Sequence, residues 1–145
     1  MRHLLTAFAL LGLVGCLDPG DPILGVRDTD PPEVQSTDPG ANAQIAADGT
    51  LNLTFSEFMD DRTLRPGIAV FSGRDEVPLR ITVPEPTAVD EDIERGDVPY
   101  TVMVKAASGA FSVGSVYKLV LRTSLTDYEG NELEEQREIL FRTDP

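Results

Sequence analysis

Carboxylates dominate the residues of this chain that could do chemistry. Of 145 residues, twenty-five are Asp or Glu and twelve are Lys or Arg, a formal net charge of −13. Acids crowd one stretch, Asp90, Glu91, Asp92, Glu94 and Asp97, and Asp127, Glu129, Asn131 and Glu132 make a second oxygen-rich run. Calcium takes six to eight oxygen ligands, so several carboxylates held close together are what it needs. Asp90, Asp92, Glu94 and Asp97 are therefore the candidate metal ligands. Their spacing does not fit an EF-hand loop, which needs acids at alternating positions, a central Gly and a late Glu. A solvated loop is the simpler account of them. The second run has a geometric explanation: Asp127 can bond backbone two residues on, and Gly130 or Asn131 can take positive φ in a turn.

Other chemistries are excluded by composition. The only cysteine is Cys16, the only histidine is His3, and tryptophan is absent. His3 belongs to an N-terminal signal, so the mature chain has no histidine for a Ser-His-Asp or Cys-His pair, nor for the usual zinc site. A carboxylate pair or a Ser–Lys arrangement remains, but Lys105 and Lys118 lie in strand-like segments, and no enzyme is expected. Loss of Arg2 with the signal leaves eleven basic side chains against twenty-five acidic ones, about −14. Nucleic acid, whose phosphates must be neutralised by Lys and Arg, is not the expected partner. No cofactor is expected, calcium on the acidic loop being the one open possibility.

These residues must be positioned by strands. Leu51, Leu53 and Phe55 alternate with Asn52 and Thr54; similar alternation marks Ile68–Val70, Val77–Ile81, Tyr100–Val104, Tyr117–Arg122 and Ile139–Phe141. Period two with β-branched and aromatic residues reads as half-buried antiparallel strands. With Glu33–Ser36 this makes about seven strands, the number and spacing of an all-β two-sheet sandwich. One helical turn is expected at 60–64, capped by Asp60, packed through Met59 and Leu64, and stopped by Pro66 and Gly67. Tyr117 opens its strand shortly after Gly114, so its ring should point inward while its hydroxyl reaches backbone at a corner of the sandwich.

The first sixteen residues, MRHLLTAFALLGLVGC, set the destination. A basic start and a short apolar run make a secretory signal, too short to span a membrane. The ending Leu13-Val14-Gly15-Cys16 resembles a bacterial lipobox. That resemblance implies cleavage before Cys16, a diacylglycerol thioether on its sulfur and an acylated amine. Several acyl chains on one residue anchor stably where one holds only marginally. Leu17, not aspartate, follows the cysteine, which under the best-known sorting rule directs the protein to the outer rather than the inner membrane. Residues 17–32 hold four prolines, two glycines and four aspartates and read as a tether. Extended as polyproline II, it would reach about 50 Å. The expected organisation is a signal peptide over 1–15, a lipidated cysteine and flexible linker over 16–32, and a sandwich domain over 33–143.

Three blocks carry a family likeness. Asp30-Pro31-Pro32-Glu33-Val34-Gln35-Ser36 leads to Pro39-Gly40-Ala41; Leu51 to Phe55 continues into Ser56-Glu57-Phe58-Met59-Asp60; Val116 to Leu121 precedes Leu125-Thr126-Asp127-Tyr128-Glu129-Gly130-Asn131-Glu132-Leu133. In this order they resemble the bacterial Ig-like domain of the SbsA, or Big-5, type. Phe58 stands where that family usually has proline, and 84–97 looks longer and more acidic than the usual connection. The resemblance implies an Ig-like sandwich with structural, spacing or adhesive roles at cell surfaces; together with the lipobox at Cys16, the expected partners are the membrane, through lipid, and another envelope protein. It carries no catalytic residues.

Overall fold

The computed structural model describes residues 28–83 and 98–145. They form a two-sheet β-sandwich with one short helix. One sheet has the order β1 (Val34–Asp38), β3 (Leu51–Phe55), β7 (Tyr100–Ala106), β6 (Leu79–Thr82). The other runs β2 (Ala43–Ile45), β9 (Arg137–Thr143), β8 (Val116–Leu121), β4 (Ile68–Ser72), β5 (Asp75–Val77). Alternation drives both sheets. Leu51, Leu53 and Phe55 on β3 face Val102 and Val104 on β7, all wholly buried, and Tyr117, Leu119 and Leu121 of β8 meet them from the opposite sheet. Phe111, Phe141 and Tyr100 supply the aromatic part of the core.

Nine strands stand where about seven were expected, and the differences have local causes. The run Val77–Ile81 is not one strand. Pro78 interrupts it, so β5 pairs with β4 in one sheet while β6 pairs with β7 in the other. Proline lacks the N–H that a continuous ladder needs and is tolerated where a strand changes sheets. Ala43–Ile45 carries too few residues for alternation to show, and it pairs parallel to β9 rather than antiparallel. One further departure lies on the outer face of the second sheet. Ala69 and Val120 are paired in register and buried, although they point away from the main core.

The helix α1 (Asp61–Gly67) is longer than the expected turn. Asp60 caps it as foreseen, its carboxylate accepting from the Arg62 N–H at 2.9 Å. Pro66 lies inside the last turn instead of stopping the helix. In seven residues few i→i−4 bonds exist to be lost, so the proline costs little here. Gly67 ends the helix for a packing reason: a Cβ there would lie 2.5 Å from the buried Leu125 side chain.

Candidate functional site

The period that builds β3 does not stop at its end. Residues 51, 53, 55, 57 and 59 continue one inward parity, and the position between Phe55 and Met59 is Glu57. A carboxylate is thereby placed where the pattern calls for an apolar side chain, and Glu57 is only 6% exposed. The chain leaving β8 meets it. Asp60 N–H donates to Thr126 O at 2.9 Å, and Met59 bridges Asp127. Carboxylate oxygens of Glu57, Asp127 and Glu129 then lie within 4.8 Å of one another.

Asp127, 1% exposed, is held by the turn it begins. One of its oxygens accepts from the Asn131 N–H at 2.8 Å and the other from the Asn131 side-chain amide at 2.6 Å. The carboxylate thus spans four residues rather than the two expected. Gly130 supplies the positive φ, 89°, which a side chain would disfavour. The same Asn131 amide donates to Asp28 O at 3.2 Å, tying the incoming chain to this end of the domain.

Glu57 has weaker support. Ser56 Oγ donates to it at 3.4 Å while accepting from the Glu33 N–H at 2.9 Å. Burial first, then the negative charges of Asp127 and Asp28, push its carboxyl up from 4.5 to about 7; the Ser56 bond pulls it down and Glu129 adds a smaller upward push. Burial beside these negative charges therefore favours a proton on Glu57. Beside it, Tyr100 Oη donates to Asp61 at 2.9 Å, and burial followed by this bond raises its hydroxyl well above the ordinary phenol value. Phe58, in the place of the usual proline, packs its ring 5.0 Å from that of Tyr100.

The opposite end of β8 is neutral. The Tyr117 ring is stacked 5.4 Å from Phe141 and lies 5.0 Å from Phe111. Its Oη accepts from the Ser112 N–H at 2.8 Å. Thr143 completes the corner, donating to Ser112 O at 2.6 Å and accepting from the Ser115 N–H at 3.0 Å. Ser115 and Lys118 stand at Ser-x-x-Lys spacing, the one a Ser–Lys arrangement would use. On a strand that spacing sends the two side chains to opposite faces. Ser115 Oγ donates to Val113 O, and Lys118 pairs with Glu138 at 3.3 Å.

Cys16 and the four candidate ligands Asp90, Asp92, Glu94 and Asp97 lie outside the described residues. Among the described residues, the carboxylate convergence is instead Glu57, Asp127 and Glu129. Its overlooked signal was parity: an acid at the inward position of an alternating run. The second run did contribute, through Asp127, Gly130 and Asn131, whereas Glu132 is exposed and bridges Thr126 only through backbone.

Comparison with known proteins extends the picture. No curated protein matches the chain. Among solved structures it is similar to the S-layer protein rSbsC(31-844), with a TM-score of 0.51 and 18% identity over 79% of this chain and 14% of that one. Domains 1-6 of the surface layer protein SbsC give a TM-score of 0.50 and 18% identity over 77% of this chain and 13% of that one. The chain therefore corresponds to a small fraction of those proteins' length, and at this identity the likeness is one of fold. A family model described as the bacterial Ig-like domain matches residues 28–143, nearly all of the described region, and the chain belongs to that family.

Proposed function

We propose that this protein is a non-catalytic, lipid-anchored Ig-like module of a bacterial cell envelope that works by spacing and by contact with another envelope protein. The observation that supports it most is the pairing of a lipobox-like end at Cys16 with an Ig-like body over 28–143. The fold is shared with surface-layer proteins. Both catalytic alternatives lose support among the described residues: the Ser115–Lys118 spacing is split between faces, and the carboxylate trio has no histidine beside it, while the one hydroxyl on it, Ser56 Oγ, is engaged by the Glu33 N–H. The outer membrane is the favoured destination, on the residue following the cysteine.

Two measurements test this. Labelling with a palmitate analogue should mark the wild type and not Cys16→Ser, which should be released into the medium. Cross-linking in native envelopes should recover another envelope protein at a defined stoichiometry. An unlabelled, freely secreted product would overturn the anchor, and a monomer that cross-links to nothing would overturn the contact role.

A second reading, a cation-binding module, is supported by the convergence of Glu57, Asp127 and Glu129, three oxygen donors of the type calcium prefers. Calorimetric titration with calcium decides it. Heat of binding that disappears in Glu57→Gln supports the reading, and no heat at millimolar calcium dismisses it.

A further inference from the structure

Strands β5 and β6 follow one another in sequence yet end up as edges of different sheets, on the same side of the sandwich. Among the described residues, no strand closes the gap between them. A groove of about 290 Å³ is lined by Ile68, Val77, Leu79 and Ile81, with Arg65 and Glu76 as its charged members. Val77, Leu79 and Ile81 pack against the core and remain half-buried, as core side chains do when a covering layer stops short.

The backbone of β6 is half satisfied. Pro78 O accepts from the Ala107 N–H at 2.8 Å, which fixes the alternation of the antiparallel pair. Arg80 and Thr82 then direct their N–H and C=O groups to β7, and Leu79 and Ile81 direct theirs outward. Among the described residues, β6 has a strand neighbour on one side only.

The outer face at this edge is unusual in charge. Arg80 and Lys105 are register partners on neighbouring strands, both exposed, and like charges directly opposite one another are unfavourable. Neither makes an ion pair among the described residues, nor do Arg65, Arg74, Arg137 and Arg142; what sets Arg80 and Lys105 apart is that they face one another in register. In a chain of −13, two cations opposite one another in a ladder make this edge a local reversal of charge. A strand added antiparallel outside β6 would set a residue opposite Arg80 in the non-hydrogen-bonded position, where side chains approach most closely. A carboxylate there completes the row Lys105–Arg80–acid. The neighbouring residues of that strand face inward, over the groove.

We infer that the β6 edge is a docking site for an extended segment of a partner protein in which aliphatic residues alternate with carboxylates, bound by strand addition. This rests on the contact role proposed above and names the chemistry of the contact. A second copy of this chain fits less well, because two-fold pairing of β6 with itself sets Arg80 against Arg80 or Thr82. The net negative charge does not forbid an acidic strand, since charges farther away than about 8 Å are screened at physiological salt.

The test uses the full chain and two N-acetylated octapeptides, one alternating valine with glutamate, the other valine with lysine, followed by fluorescence anisotropy at 150 mM salt. The glutamate peptide should bind at least ten-fold more tightly. Arg80→Glu, at an exposed position, should reverse that order. Ile81→Pro removes an outward N–H that β7 does not use, but also a side chain packed on the core, so Ile81→Ala, which keeps the N–H, is its control: the proline variant should bind the glutamate peptide ten-fold or more weakly than the alanine variant. Equal affinity for the two peptides, or an Ile81→Pro variant that binds as tightly as Ile81→Ala, would overturn the site; so would self-association through β6 abolished by Ile81→Pro. Cross-linking to an envelope partner that persists in Ile81→Pro overturns this edge as the contact and leaves the contact role standing, whereas loss of all cross-linking in the wild type removes the role itself.

Discussion

At the start of β8, Tyr117, Phe111 and Phe141 stack into a neutral corner whose hydroxyl and backbone groups pair off one against another. Past the strand's other end, Glu57, Asp127 and Glu129 bring their carboxyl oxygens within 4.8 Å of one another. Both ends close the same core. The neutral end does so by area removed from water and satisfied hydrogen bonds, and its energy should be nearly independent of pH. The acidic end spends stability to keep the Glu57 carboxyl out of water, and its energy must follow the protonation of that group. The contrast separates a part of the fold that merely holds from one that can respond to conditions.

The largest effect expected is at the neutral end. Phe141, 1% exposed and in ring contact with both Tyr117 and Phe111, should cost about 3–5 kcal/mol on replacement by alanine, at any pH from 5 to 8. Chemical denaturation at several pH values checks this, and a cost that changes strongly with pH would break the contrast.

Glu57 should show the reverse. Its carboxyl is raised from 4.5 to about 7, so between those values the native state holds a proton that the unfolded chain has released. Stability therefore falls as pH rises from about 4.5 to 7 and levels off above, losing roughly 1–3 kcal/mol. Glu57→Gln, measured in chelator, should flatten that slope and be more stable than wild type at pH 8. A wild-type profile already flat over this range would refute the assignment.

Asn131→Ala removes the amide that donates to buried Asp127 and to Asp28 O. A cost of about 1–3 kcal/mol is expected from the unsatisfied carboxylate, read as a shift in denaturation midpoint. Hydrogen exchange should also rise at residues 28–33, where an unaltered rate would show that the tie is idle. The smallest effect is at the corner: Tyr117→Phe takes the acceptor from the Ser112 N–H and should cost about 1 kcal/mol. A midpoint identical to wild type would mean that water replaces the hydroxyl.

How far these features were legible differs residue by residue. The strands at 51–55, 100–106, 116–121 and 137–143 follow from alternation, because each side chain's face is set by its immediate neighbours. The same rule carried a little further would have found Glu57, whose parity is apolar. The division at Pro78 and the short parallel strand Ala43–Ile45 were hidden, the first because one proline fits both a break and an edge, the second because three residues show no period. The acidic stretch drew attention by abundance, yet among the described residues it is placement that makes a cluster.

By itself the sequence determined the all-β class, the inward and outward residues of the long strands, the cap at Asp60 and the likeness to Ig-like domains. Each is written in spacings of a few residues, within reach of local sterics and hydration. Tertiary structure alone decided which strands became edges, that Glu57 would meet Asp127 across seventy positions of chain, and that Arg80 and Lys105 would face one another in register. Those outcomes depend on contacts between segments remote in sequence, where the closing of the common core chooses the neighbours and no local pattern records the choice.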